Sequence, residues 1–86
     1  MSTYEYIPKG VCSRRIHIEL AGSKVEKVFF EGGCNGNLQG ISKLIEGMEI
    51  DAVIRRLAGI RCGRRQTSCP DQLSLALQAA RNAQAD

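Results

Sequence analysis

The feature that most constrains this chain is a single change in the spacing of its apolar residues. Ile16, Ile18 and Leu20 alternate with polar residues, a period of two that is typical of a strand with one solvent-facing side. After Gly32 and Gly33 the spacing becomes helical. Strands followed by helices predict an α+β domain, with the helices packed on one face of a small antiparallel sheet.

The strand pattern continues in a second segment that contains Val28 and Phe30. The residues between the two segments read Ala-Gly-Ser-Lys at positions 21–24, which is typical of a tight turn, so we expect an antiparallel hairpin. Tyr4 and Tyr6 indicate a short edge strand before Pro8.

Three helices are predicted after the hairpin. The first ends at Gly47, the second has Asp51 as its N-cap, and the third has Pro70 in its first turn. The predicted inward residues are Leu38, Ile41, Leu44 and Ile45 in the first helix, Ile54 and Leu57 in the second, and Leu73, Ala76, Leu77 and Ala80 in the third.

The chain has 86 residues, which is enough for one core, so residues 1–86 are expected to form a single domain whose last residues, 82–86, fray. Its apolar runs are far shorter than the roughly 20 residues that cross a bilayer, so no membrane association is expected. The N-terminus lacks the pattern of a secretory signal, and we therefore expect a cytoplasmic protein with reduced thiols.

Four cysteines occupy turns on this scaffold. Cys12 precedes the first long strand and Cys34 follows its partner, so both are expected at the open end of the hairpin. Cys62 and Cys69 are separated by a short loop, and Cys69 opens the third helix, where the helix dipole stabilises a thiolate. If that helix begins near the open end, these cysteines would form a zinc or iron-sulfur site with three or four thiolate ligands.

Polar and basic residues flank the cysteines. Asn35, Ser68 and Asp71 are candidates for hydrogen bonds to the ligands, although Ser68 and Asp71 also fit a helix-capping pattern. Five arginines fall within residues 55–65, which contain no acid. Of these, Arg61, Arg64 and Arg65 are candidates for contact with an anion or a protein partner. His17, the single histidine, is expected to be exposed, so hydrolytic and acid-base sites are not supported.

Alternatives to a metal site remain open. The cysteines are compatible with small buried apolar residues, and Cys62 with Cys69 is compatible with a dithiol that delivers electrons through a reversible disulfide. A third alternative is an adaptor that binds its ligand through the loop with Arg61, Arg64 and Arg65, which we call the arginine loop. The ligand would be an anion or a protein; a nucleic acid agrees less well with the small net charge of +3.

Five segments of the sequence resemble the TSCPD-domain family: TSCPD itself at residues 67–71, GVCS at 10–13, GGCNGN at 32–37, LQGISKLIEGM at 38–48 and GIRCG at 59–63. Members of that family occur as small free-standing proteins and as the C-terminal module of adenosylcobalamin-dependent ribonucleotide reductases. The resemblance implies a link to ribonucleotide reduction. A chain of this size is too small to shelter a radical and hold a nucleotide and cobalamin, so we expect an accessory role with a reductase, or another protein, as partner.

The order of strands, Gly-Cys turn and helices is also similar to the iron-sulfur cluster assembly scaffold family. That resemblance implies that Cys12, Cys34 and Cys69 are cluster ligands. Ser13 and Arg14 stand where that family has Gly-Asp, Ser68 stands where a histidine is usual, and Cys62 is additional. An additional thiolate favours a zinc site with four sulfur ligands over a labile cluster.

Overall fold

The alternating segments form strands and the later segments form helices, in the predicted order. The structure is a computed structural model that describes residues 2–33 and 35–85, with Asn35 and Ala85 described by their backbone alone. The elements are β1 (Ser2–Tyr6), β2 (Ser13–Ala21), β3 (Lys24–Gly32), α1 (Asn35–Ile45), α2 (Ile50–Leu57) and α3 (Cys69–Ala85). The α+β prediction is therefore confirmed, and no helix within these residues is long and apolar enough to cross a membrane.

The three strands form one antiparallel sheet with the order β1-β2-β3. β2 and β3 form the predicted hairpin, in which Ala21 pairs with Lys24 across a two-residue turn. Gly22 in that turn has a φ of 61°, a conformation that costs glycine little because it has no Cβ. β1 is the predicted edge strand and contains both tyrosines.

The helices cover one face of this sheet. Ile16, Ile18 and Leu20 of β2 are completely buried, as their alternation with polar residues predicts. α3 packs against β1 and β2, α1 packs against β3, and α2 packs against α3. All four predicted inward residues of α3 are buried. Burial of a leucine side chain such as Leu73 stabilises the fold by about 1.5–3 kcal/mol, so this stripe is a main source of the helix's stability.

Two predictions about the shorter helices are wrong. Leu44 is 79% exposed, whereas Leu38 and Ile45 are buried; at about 100° per residue, Leu44 lies roughly 120° around the helix from Leu38 and about 100° from Ile45. Asp51 is not an N-cap, because Glu49 precedes α2 at that position and Asp51 belongs to the first turn.

The two most deeply buried residues of α2 are not the predicted ones. Ile50 and Val53 are its buried residues, and the predicted inward residues Ile54 and Leu57 are only half-buried, although both pack against the core. The hydrophobic periodicity therefore predicts the side of α2 that faces the core but not its two most deeply buried residues.

α3 runs from the open end of the hairpin to its turn. At its C-terminal end, the side-chain amide of Gln84 donates to the carbonyl oxygen of Gly22 at 2.9 Å, and Arg81 forms an ion pair with Asp51 of α2. Residues 82–85, which were expected to fray, form the last turn of α3, and Asp86 lies outside the described residues. The N-terminal end of α3, with Cys69, is therefore at the opposite end of the hairpin from Gly22.

The sequence predicts an exposed His17, but the residue is half-buried on the open face of the sheet. Its ring contacts side chains of both neighbouring strands. Its Nδ1 lies 3.0 Å from a carboxylate oxygen of Glu5 and its Nε2 lies 3.0 Å from one of Glu31. The hydrogen bond from His17, assisted by the charge of the same residue and of nearby arginines, lowers the pKa of Glu31. The side chains of Glu5, His17 and Glu31 therefore connect β1, β2 and β3.

Candidate functional site

The TSCPD segment fixes the loop between α2 and α3. The carboxylate of Asp71 accepts a hydrogen bond from the backbone N–H of Gly59 at 2.7 Å and another from the Thr67 hydroxyl. These bonds, first that from Thr67 and then that from Gly59, lower the pKa of Asp71. One side chain therefore holds both ends of the loop, residues 59–67, against the start of α3.

Ser68 caps α3. Its hydroxyl oxygen accepts from the backbone N–H of Asp71 at 3.1 Å and its hydroxyl donates to the carbonyl oxygen of Ile60 at 2.6 Å. The first bond satisfies one of the free N–H groups at the helix start. The capping pattern that the sequence predicts for Ser68 and Asp71 is therefore present, and Cys69 is the first residue of the helix.

A buried glutamine connects this loop to the segment that leads to Cys12. The side-chain carbonyl of Gln72 accepts from the backbone N–H of Lys9 at 3.0 Å, and its amide nitrogen donates to the hydroxyl oxygen of Thr67 at 2.9 Å. Gln72 is only 5% exposed, so both bonds are shielded from water and hold the N-terminal segment beside α3.

The first residue of β2 meets the first residue of α3. The buried hydroxyl of Ser13 lies 3.3 Å from the sulfur of Cys69, which is half-buried. The neighbour of Ser13, Cys12, is exposed. The open end of the hairpin and the start of α3 are thus in direct contact.

Cys12, from the start of the hairpin, and Cys62 and Cys69, from the loop before α3 and its first residue, line one cavity of about 520 Å³. Cys69 lines it beside the contact with Ser13, and Cys12 is the residue before Ser13. Cys62 enters it from the loop, where its backbone N–H donates to the carbonyl oxygen of Thr67 at 3.1 Å. The lining residues are Cys12, Gly36, Asn37, Leu38, Gly40, Ile41, Leu44, Cys62, Ser68, Cys69 and Pro70. We call this cavity the cysteine groove.

The three cysteines of the groove are free thiols. Over residues 2–33 and 35–85 there is no set of three or more histidine, cysteine, aspartate or glutamate side chains close enough to hold a metal ion. The fourth predicted ligand, Cys34, lies outside the described residues. The chain that leads to it, at Gly33, passes beside Ser13: a Cβ on Gly33 would lie 3.4 Å from the Ser13 Cβ and 2.9 Å from Leu38 Cδ1.

A family model described as the TSCPD domain matches residues 1–81. The chain belongs to the TSCPD-domain family. This membership links the chain to the C-terminal modules of ribonucleotide reductases. Searches of curated proteins and of solved structures gave no significant match.

The polar residues predicted to support the ligands have different surroundings in this TSCPD domain. Ser68 and Asp71 are engaged in the cap and the loop, and the Ser68 side chain also lines the groove. The side chain of Asn35 lies outside the described residues. The hydroxyl that does contact a cysteine sulfur belongs to Ser13.

The arginine loop of the domain is open to solvent. Arg61, Arg64 and Arg65 are exposed, and within the described part of the chain none of the three forms an ion pair. The backbone N–H of Arg65 donates to the carbonyl oxygen of Cys62 at 3.0 Å, so the turn that carries these side chains is fixed to a residue of the cysteine groove.

Sequence reasoning missed three residues of the site. Ser13 is next to the predicted ligand Cys12, and Thr67 is next to Ser68. The sequence alone does not show which of these hydroxyl groups contacts a sulfur or a carboxylate. Leu44 is predicted to lie in the core. Its angular distance from Leu38 and Ile45 around α1 is the feature of the sequence that would have indicated its exposure.

Proposed function

We propose that this TSCPD domain is a cysteine-based accessory module for ribonucleotide reduction, in which Cys12, Cys62 and Cys69, with Cys34, hold zinc or an iron-sulfur cluster. The observation that supports the proposal is the cysteine groove, because three sulfur-bearing residues from separate segments line one cavity. Cysteines scattered as small apolar core residues would not share a surface cavity, and two of these three are exposed.

The chemistry of the donor set fits the proposal. Thiolates are the preferred ligands of structural zinc and of iron-sulfur clusters, and the lining residues of the groove contain no carboxylate that would favour magnesium or calcium. Because the described thiols do not form a closed group, binding requires the cysteine segments to approach one another. The bound metal would then act as a cross-link between β2, the arginine loop and α3.

The accessory role follows from size. The described residues form one small core between three strands and three helices. A ribonucleotide reductase must enclose a radical, a nucleotide and its cofactor, and this domain has no interior of that size. We therefore place the domain beside a reductase or a related protein as a partner, in the reducing cytoplasm where free thiols persist.

Metal analysis of anaerobically purified protein tests the proposal. We expect about one zinc ion or one iron-sulfur cluster per chain, and a substantial loss of metal in the Cys62→Ser and Cys69→Ser variants. His17→Gln is the matched control, because it removes the one imidazole of the chain on the opposite face of the sheet. Equal metal content in the wild type and in a variant without cysteines would refute the proposal.

A dithiol function is the second candidate, favoured by the position of Cys62 and Cys69 in the same groove as free thiols. The Cys62 thiolate would attack a disulfide of the partner, and the Cys69 thiolate would then attack the mixed disulfide at Cys62. A Cys62–Cys69 disulfide forms, and two electrons and two protons pass to the two thiols of the reduced partner. Cys62→Ser should then abolish the reversibly oxidised form seen by mass spectrometry, and persistence of that form would exclude this function.

A further inference from the structure

One wall of the cysteine groove is a surface of α1 that carries Ile41, which also packs against the core, and Leu44. Leu44 is 79% exposed and Ile41 beside it is half-buried. Gly36 and Gly40 lie on the same wall, and the absence of side chains there leaves the groove wide. Leu44 adjoins Leu38 and Ile41 in the groove lining, and a contiguous apolar patch on a concave surface is typical of a binding site.

The loop that contributes Cys62 to the groove is basic. Cys62, which lines it, is flanked by Arg61 and followed by Arg64 and Arg65, three exposed residues without an ion pair among the described residues. The lining residues include no acid. Arginine presents paired N–H donors that match the two oxygens of a carboxylate, so the arginine loop, which carries the groove residue Cys62, is complementary to aspartate and glutamate side chains.

We propose that the cysteine groove binds an acidic peptide segment of a partner protein, with a leucine-like side chain of that segment packed against Ile41 and Leu44 and its carboxylates paired with the arginine loop. The volume of about 520 Å³ lies within the range of about 300–1,000 Å³ that is usual for ligand sites. A single-stranded nucleic acid fits the groove less well, because such ligands stack on aromatic side chains and the groove lining has none.

This inference deepens the partner contact of the proposed function and rests on it for the partner's role, but the binding itself requires no metal. The test uses fluorescence anisotropy with three labelled synthetic peptides: one with acidic residues around a leucine, one with the leucine replaced by glycine, and one with the acids replaced by lysine. Only the first is expected to bind well. Leu44→Ala should weaken its binding about tenfold, as the loss of a buried leucine contact implies, and Arg64→Ala/Arg65→Ala should weaken it by at least as much.

Matched controls lie elsewhere on the surface. Phe29→Ala removes another exposed apolar side chain, 56% exposed on β3, and Arg55→Ala/Arg56→Ala removes the same charge from exposed positions of α2. Both should leave binding within about twofold of the wild type. Equal weakening by the control and test variants, or equal binding of the glycine peptide, would overturn the proposal. So would a single-stranded oligonucleotide that binds more tightly than the peptide and whose binding is unchanged in Leu44→Ala.

Metal content is measured on the same samples. Peptide binding by protein without metal counts against the metal site alone, and metal-loaded protein that binds none of the peptides counts against the groove alone.

Discussion

The Ser13 hydroxyl lies 3.3 Å from the Cys69 sulfur, although 56 residues separate the two in sequence. This contact joins the start of the central strand to the start of the last helix. It gives Cys69 surroundings that Cys12 and Cys62 lack, since those two are exposed whereas Cys69 is half-buried beside a buried hydroxyl and at a helix N-terminus.

Replacement of Ser13 by alanine should slow the alkylation of Cys69. Either group can donate in this contact; a hydroxyl that donates to sulfur stabilises the sulfur when it attacks an alkylating agent, and one hydrogen bond of about 1 kcal/mol corresponds to roughly a fivefold change in rate. The measurement is the rate of reaction with iodoacetamide in a variant whose other three cysteines are serine. Ser42→Ala, which removes a buried hydroxyl bonded to the Leu38 carbonyl instead, should leave the rate unchanged. An unchanged or faster rate in Ser13→Ala would contradict this role.

The carboxylate of Asp71 should make stability depend on pH. Its pKa is lowered in the folded state by Thr67 and Gly59, so the unfolded chain takes up the proton more readily. The stabilisation is complete above the ordinary aspartate pKa of about 4 and is lost as the pH falls through the lower folded value.

Urea unfolding from neutral pH down to pH 3 measures this dependence, because the carboxylate of the unfolded chain takes up its proton within that interval, near pH 4. Asp71→Asn should cost about 1 kcal/mol at neutral pH and should decline less steeply than the wild type on acidification. Asp51→Asn, an exposed partner of Arg81, is the control. A decline in Asp71→Asn parallel to that of the wild type would show that these hydrogen bonds contribute little. Glu31 also has a lowered pKa and titrates in the same range, so its contribution is separated with Glu31→Gln.

Loss of the Ser68 hydroxyl should destabilise the domain by about 1–2 kcal/mol. Ser68→Ala removes the cap of α3 and leaves the carbonyl group of Ile60 without its donor. The free energy of unfolding in urea is the measurement, and Ser23→Ala at an exposed turn position should change it little. Equal stability of the two variants would mean that water replaces the cap.

Truncation of two leucines in different helices should lower the free energy of unfolding by very different amounts. Leu77→Ala in α3 creates a cavity at a completely buried site and should cost about 2–5 kcal/mol. Leu44→Ala at a position that is 79% exposed should cost no more than about 0.5 kcal/mol. A large loss for Leu44→Ala would mean that this residue belongs to the core, and the groove proposed as a docking surface would then be absent.

The regular elements of the fold were predictable because their signals are local. Alternation of Ile16, Ile18 and Leu20 defines a strand with one buried face, and the stripe from Leu73 to Ala80 defines the inner side of the last helix. The short helices were less predictable because few turns define the apolar stripe, and the predictions for Leu44 and Asp51 were wrong. The contacts of His17 in β2 were not predictable because its partners Glu5 and Glu31 lie on other strands.

The sequence by itself determined that this chain forms a three-stranded sheet followed by helices, that its cysteines stand in turns, and that TSCPD begins a helix, because periodicity, turn residues and capping act over a few neighbours. Only the tertiary structure decided that Cys12, Cys62 and Cys69 line one groove, that Ser13 contacts Cys69, and that Asp71 holds the arginine loop. Those relationships depend on the direction in which α3 crosses the sheet, which is set by burial of its apolar stripe and by contacts at both of its ends, between groups up to 63 residues apart.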